Sequence, residues 1–465
     1  MKFYVLFLIL VSPLLGLTQF EHSYYPLAPN EEIPKEFIEN PLIEEKLLMA
    51  KNTLLTNEEA QTFYSKSIFL KYQLFQSGQI YLPNKLNNYI DSLKNVLLKS
   101  QPELNSKIRL YITRFTEPNA FCLPDGSIFI NIGLLDKINN DSELAFILAH
   151  EIGHYAEKHS IKDFHRLSQI ESQESFKNND RSAFRSLIFS RDSEFDADSW
   201  AIFLLQQTGF DPNLAINALE VLKEGKSYSN SEYKSQIEND FFKIDTSLIN
   251  SPNLKQYERN SDKVKNIKIA TGEIEDIFRS HPDIGKRIEA LKEIILSMDE
   301  SNVVLSANGD ALRSTKTTAE FEIVENQLRN QDYLNAFLKA SSLASEYPHN
   351  IYLIEAMSKS LYWISHYKEI NDLSFFEGSS IEDSVYIEFY ALVNEMSLRD
   401  AKKMVYAFNK SNLEKTDNPL ESILFYYAIS TENYLGKNAA KQHYQTYIQK
   451  FPEGNYINLV KNKIE

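Results

Sequence analysis

The pentapeptide His150-Glu151-Ile152-Gly153-His154 constrains this chain more than any other stretch. On a helix, positions i and i+4 fall on one face, so both imidazoles can reach a single metal ion. Glu151 then sits about 100° around the helix, beside the metal's open coordination position. Two neutral imidazoles suit zinc, and an adjacent carboxylate can take a proton from water held there. The pattern points to metal-assisted hydrolysis, most often of peptides. With 9 His and 64 Asp and Glu in the chain, composition alone would produce it in roughly one or two of a hundred such sequences. The surrounding residues therefore have to carry the assignment.

At 465 residues there is room for about two or three domains and a large core. The formal net charge of -15, with Lys and Arg scattered rather than clustered, argues against a nucleic-acid partner. Lys2 followed by the apolar run Phe3–Leu17 reads as an export signal over residues 1–18, the alternative being an uncleaved membrane anchor. Fifteen apolar residues are short for a membrane span, and no later run approaches that length. The expectation is an exported chain, periplasmic or secreted, with no transmembrane segment beyond the N-terminus. The single cysteine, Cys122, excludes an intramolecular disulfide.

Residues 19–100 read as an N-terminal helical segment. Its first part is broken by Pro26, Pro34 and Pro41, and helices follow over Asn57–Phe75 and Leu86–Leu98. Arg109–Thr113 and Ser127–Ile132 alternate as strands, the second introduced by the turn Pro124-Asp125-Gly126. The motif helix is expected from Asp141 to His159, with Asp141 or Ser142 as N-cap. Another helix covers Ser190–Thr208 and ends at Gly209, and further helices span Leu214–Glu224 and Ile284–Met298. Residues 225–272 are polar and read either as a loop or as a lid. Residues 301–315 form a candidate linker. Beyond it, Ala336-x3-Ala340-x7-Pro348 is echoed by Ala440-x3-Tyr444-x7-Pro452. The interval fits three units of about 34 residues, the tetratricopeptide (TPR) period. Residues 316–465 are thus expected to form either degenerate helical repeats or a plain bundle.

A catalytic zinc usually keeps three protein ligands. Glu194 and Asp198 lie four apart on the helix after the motif. Glu194 can complete the triad with His150 and His154. Asp198 can accept a hydrogen bond from the outer nitrogen of a ligand imidazole and so fix its tautomer. His159, about 500° on from His154 around a continuous helix, is rotated off the ligand face. Asn119, Ala120 and Phe121 begin a strand that is either an edge for an extended substrate or the interior of a hairpin. His281 precedes Pro282, and Arg287 follows six residues later. His281 is a candidate oxyanion donor, a candidate fourth ligand that keeps the site latent, or a simple helix-start residue.

Asn119-Ala120-Phe121 with Pro124 and Gly126, Glu143-Leu144-Ala145 before the motif, His159, Glu194-x3-Asp198, and His281-Pro282 with Arg287 occur together and in this order. This set resembles the HtpX and CAAX-prenyl-protease type of zinc metallopeptidase, within the gluzincin group, over about residues 101–298. Asp125 departs from it, standing where a second glycine is common. The resemblance implies a mainly α fold with a small β-sheet. It implies a zinc metallopeptidase domain over residues 101–300, one Zn2+ on His150, His154 and Glu194, and Glu151 as general base. It also places His281 and Arg287 near the metal, where they would help stabilise the tetrahedral intermediate. A soluble catalytic domain followed by TPR-like helices looks like the periplasmic BepA-like branch. That branch implies quality control of outer-membrane proteins, with polypeptide substrates and with assembly partners on the C-terminal helices. The expected function is a zinc-dependent endopeptidase acting on extended or misfolded polypeptides in the cell envelope. The rival is an assembly factor or chaperone whose helical repeats bind partners over a latent zinc site.

Overall fold

The computed structural model describes residues 20–27, 41–81, 84–173, 190–224, 284–298, 309–370, 384–414 and 420–464. The expected signal segment 1–18, the polar stretch 225–272 and His281 lie outside the described residues. Two compact units emerge. Among the described residues the first holds 27–224 and 284–319, and the second holds 20–26 and 320–464.

The first unit is helical around a four-stranded sheet. Pro41–Ala50 (α1) and Asn57–Gln76 (α2) come first. Pro41 stands at a helix start, where its missing N–H costs nothing, and so does not break the helix as the sequence suggested. Thr56 and Glu59 cap α2 reciprocally. Then follow Ile80–Tyr81 (β1), Lys85–Leu97 (α3), Pro102–Asn105 (α4), Arg109–Thr113 (β2), Ala120–Cys122 (β3) and Ser127–Asn131 (β4). The sheet order is β1-β2-β4-β3, with β2 and β4 parallel and the outer pairs antiparallel. Among the described residues β3 is therefore an edge strand.

Register sorts the two faces of the sheet. Tyr111 and Phe121 both pair with Phe129, and these rings stack at 5.3 and 5.0 Å. They pack with Leu74 and Phe75 of α2. The alternate residues, including Ala120 and Cys122, belong to the other face by the two-residue period.

The turn between β3 and β4 carries the departure noted at Asp125. That residue strengthens the hairpin rather than weakening it. Its Oδ2 accepts from Lys71 Nζ and Arg109 Nη2, each at 2.7 Å, and from Ser127 Oγ at 2.9 Å. Its Oδ1 accepts from Ser127 N at 2.9 Å. Gly126 adopts φ +85°, and an added Cβ would lie 2.5 Å from the Lys107 carbonyl oxygen, so this position requires glycine. Asp125→Ala leaves two cations without their shared carboxylate, one of them the buried Lys71. We expect it to destabilise the domain by about 3 kcal/mol, read as a lower denaturant midpoint.

The remaining helices of this unit are Ile132–Lys137 (α5), Asp141–Ala156 (α6), His159–Gln173 (α7), Arg191–Thr208 (α8), Ala215–Glu224 (α9) and Ile284–Leu296 (α10). Asn140, not Asp141 or Ser142, caps α6 through its side chain and the Ser142 N–H. Every residue of α6 from Asp141 to His154 is buried. The motif helix stops at Ala156, because Lys158 takes φ +56° and redirects the chain before α7. Ser190 caps α8 and Gly209 ends it at φ +79°.

The second unit contains Tyr333–Glu346 (α12), Ile351–Glu369 (α13), Ser384–Glu395 (α14), Leu398–Glu414 (α15), Glu421–Leu435 (α16), Lys437–Lys450 (α17) and Ile457–Ile464 (α18). The helix before them, Gly309–Arg329 (α11), begins inside the segment read as a linker, so 309–315 is helical. The two echoed motifs occupy equivalent places. Ala336 and Ala340 on α12, and Ala440 and Tyr444 on α17, are all buried. Tyr347 and Phe451 end their helices just before Pro348 and Pro452 with nearly the same backbone angles, φ -119°, ψ 65° and φ -132°, ψ 65°. Phe20 and Tyr24, read by sequence as part of the 19–100 segment, belong to this unit instead. Their rings pack on Phe321, Tyr24 donates to Glu322 Oε1 at 2.6 Å, and Asn350 Nδ2 donates to the Phe20 carbonyl at 2.6 Å.

Candidate metal centre

Two helices that cross closely supply the site. Gly153 lies between the two motif histidines, and a Cβ there would lie 3.4 Å from the Ala197 Cα and the Trp200 side chain of α8. α8 packs directly on α6 at this point, which brings Glu194 to the histidines.

His150, His154 and Glu194 each offer one atom to a common point, and all three are buried. His150 Nε2 and His154 Nε2 are 3.0 Å apart. Glu194 Oε2 is 3.6 Å from the first and Oε1 is 3.3 Å from the second. Ligands about 2.0–2.1 Å from a tetrahedral ion are separated by about 3.3 Å, and these three separations, two of them to different Glu194 oxygens, lie close to that spacing. Charge gives a second test of fit. Glu151, Glu194 and Asp198 are buried with Arg287 as their cation. Formally, three carboxylates against one guanidinium leave two negative charges inside the protein, which a divalent cation would neutralise. The residues present fit a divalent metal.

The support of the triangle is equally specific. Asp198 Oδ1 lies 2.8 Å from His150 Nδ1, so it accepts from the outer nitrogen as the sequence suggested. Arg287 holds the two α8 carboxylates together. Its Nη2 and Nε donate to Asp198 Oδ1 and Oδ2 at 2.6 and 2.8 Å, and its Nη1 lies 2.5 Å from Glu194 Oε2. Burial would raise the Asp198 carboxyl pKa, but Arg287 and then His150 outweigh it and hold it below the usual range. Burial would likewise lower Arg287, and Asp198 and Glu194 raise it instead. The family resemblance implies that Arg287 lies near the metal and helps to stabilise the tetrahedral intermediate. The structure places it on the carboxylates of α8.

Glu151 is buried beside the ligands. Burial raises the Cys122 thiol, and the charge of Glu151 raises it further; the helix that carries Glu151 packs against strand β3. Ala120, Phe121 and Asn119 are buried too. The Phe121 ring belongs to the aromatic cluster on α2, so only the backbone of that residue is suited to a substrate strand. His159 is not among the ligand group. Because the chain turns at Lys158, it lies behind His154, Nδ1 to Nδ1 at 3.0 Å, a contact that a straight-helix projection could not show.

Burial, then the neighbouring His150, pushes the His154 pKa down to about 4 from 6.5, which keeps the ring neutral and able to coordinate. The folded value lies below the unfolded one. Between them the unfolded chain binds a proton that the folded chain does not. The metal-free protein should therefore lose stability as pH falls from about 6.5 toward about 4, by roughly 3 kcal/mol when complete. Melts of chelator-treated protein at neutral pH and near pH 4.5 measure this, and an unchanged midpoint would contradict it.

Comparison with known proteins agrees with the site. Residues 87–295 match the family model described as Peptidase family M48. The chain is 34% identical over 113 residues to "Mitochondrial metalloendopeptidase OMA1" of Arabidopsis thaliana, covering 22% of this chain and 23% of the relative. It is 25% identical over 181 residues to "Beta-barrel assembly-enhancing protease" of Yersinia pestis, covering 34% and 37%. The protein of that name from Escherichia coli is 26% identical over 165 residues, covering 31% and 34%. The matches thus span between about a quarter and two fifths of these relatives.

Proposed function

We propose, from the premise that residues 87–295 form a metallopeptidase domain of family M48, that this chain is a zinc-dependent endopeptidase cleaving extended or misfolded polypeptides in the cell envelope. The observation that carries this reading is the buried cluster of His150, His154 and Glu194, with Glu151 on the same helix and that helix packed on the strand β3. When bound, the ion supplies a Lewis acid that activates water and polarises a peptide carbonyl. Glu151 takes the proton from the attacking water and returns it to the leaving amine. Asp198 holds His150 in the Nδ1–H tautomer, and Arg287 fixes Asp198 and Glu194 relative to each other. The backbone of Ala120–Cys122 receives the substrate as an added strand, which fits extended chain of varied sequence. His281 remains a candidate donor to the oxyanion.

The apolar residues 3–17 support export. Relatives named for β-barrel assembly support clients among outer-membrane proteins. Among the described residues no helix is long and apolar enough to cross a membrane. The matching helix ends at Pro348 and Pro452 support TPR-like repeats over 316–465 that bind assembly partners. Removing the metal with a chelator should abolish cleavage of an unfolded polypeptide, and one equivalent of Zn2+ should restore it. Cleavage that persists in protein shown to be metal-free would sink the reading.

A further inference from the structure

We propose that His159 is a positioning residue for the metal ligand His154, accepting the proton of its outer nitrogen and so fixing which nitrogen faces the ion. The inference rests on His150, His154 and Glu194 being ligands, and it deepens that reading. His154 Nε2 is the atom turned toward His150 Nε2 and Glu194 Oε1, at 3.0 and 3.3 Å. Its other nitrogen, Nδ1, is 3.0 Å from His159 Nδ1. Two ring nitrogens at that distance share one proton, one donating and one accepting. A lone pair directed from His154 Nε2 at the ion puts the proton on His154 Nδ1. His159 must then accept at Nδ1 and carry its own proton on Nε2, which faces Asp196 Oδ2 at 3.9 Å. One proton order therefore runs from His159 Nδ1 to the metal side of His154, with the exposed Asp196 carboxylate too far away to hydrogen-bond.

The local chain geometry builds this contact. The turn at Lys158, φ +56°, brings the first residue of α7 back onto the last turn of α6. Both rings are buried, each with 1% of its surface exposed, so water does not compete for the bond. The two ligand imidazoles are thus supported unequally. His150 leans on a carboxylate, Asp198, and His154 on a neutral imidazole. A second carboxylate at 159 would add a negative charge to a cluster that a divalent ion already brings to formal neutrality. A neutral acceptor fixes the tautomer without disturbing that balance.

The test is zinc affinity, measured by competition with a chromophoric chelator on full-length parent, His159→Leu and His159→Asn. Leucine removes the acceptor, and the Asn side-chain oxygen can stand close to where Nδ1 was. Outer-shell partners of this kind typically change affinity 10- to 100-fold. We expect His159→Leu to bind zinc about 10- to 100-fold more weakly and His159→Asn to regain most of that loss. Melting of the metal-free proteins shows whether the effect is separate from folding. Should the leucine protein fail to fold, nitrogen chemical shifts of His159 in zinc-loaded parent decide, with the Nε2–H tautomer expected. Equal affinity in parent and His159→Leu, no recovery with asparagine, or an Nδ1–H tautomer would overturn the role of His159. A parent protein that takes up no zinc would overturn the metal centre itself.

Discussion

Glu151→Gln is expected to keep zinc and to lose about 10²–10⁴-fold in turnover of an unfolded polypeptide. Glutamine matches the shape of the buried side chain, so the packing of α6 should survive and the three ligands should stay in place. What disappears is the carboxylate proposed to accept the proton of the attacking water and hand it to the leaving amine. The loss should appear in kcat, because the proposed reading assigns substrate binding to β3 rather than to Glu151. A variant that cleaves as fast as the parent would show that Glu151 is not the base. A Glu151→Gln protein that fully replaces the parent in cells would favour the assembly-factor reading, with the helices of residues 320–464 carrying the biological role.

The second large effect is expected at Arg287. This side chain is fully buried, 89 residues from Asp198 in sequence and clamped on it by two hydrogen bonds. Arg287→Met would leave Glu194 and Asp198 without their cation in the interior. Breaking a buried pair in this way costs about 3–5 kcal/mol, so the metal-free protein should melt far lower than the parent. Bound zinc should recover part of that loss, since the ion also neutralises the carboxylates. Arg287→Lys should not rescue the site, because an ammonium cannot reproduce the two-pronged contact on Asp198. If Arg287 acted only on the reacting carbonyl, the variant would instead keep its stability and lose kcat alone.

Much of this site was legible because helical spacing is a local signal. His150 and His154, and again Glu194 and Asp198, stand four apart, and each pair shares a helix face in the structure. The strand Arg109–Thr113 followed from its alternation, and the helix end at Gly209 from its residue type. The misses are contacts between residues distant in sequence or beyond a bend in the chain. Nothing periodic announces that Phe20 and Tyr24 join helices some 300 residues later. The position of His159 depended on one residue with positive φ, Lys158, which breaks the helix that the projection assumed. Asp125 stands where the family pattern commonly has a second glycine, and its partners Lys71 and Arg109 come from elements with no sequence link to the turn.

His150, His154 and Glu194 are proposed to hold one catalytic divalent ion, as the ligand group found among the described residues. Anomalous diffraction at the zinc edge from crystals of the metal-loaded protein tests this most directly. A single peak is expected about 2.0–2.1 Å from His150 Nε2, His154 Nε2 and a Glu194 oxygen, with the remaining coordination position not filled by protein. A peak elsewhere, no peak at this triangle, or a fourth protein ligand that stays in place with substrate bound would contradict it.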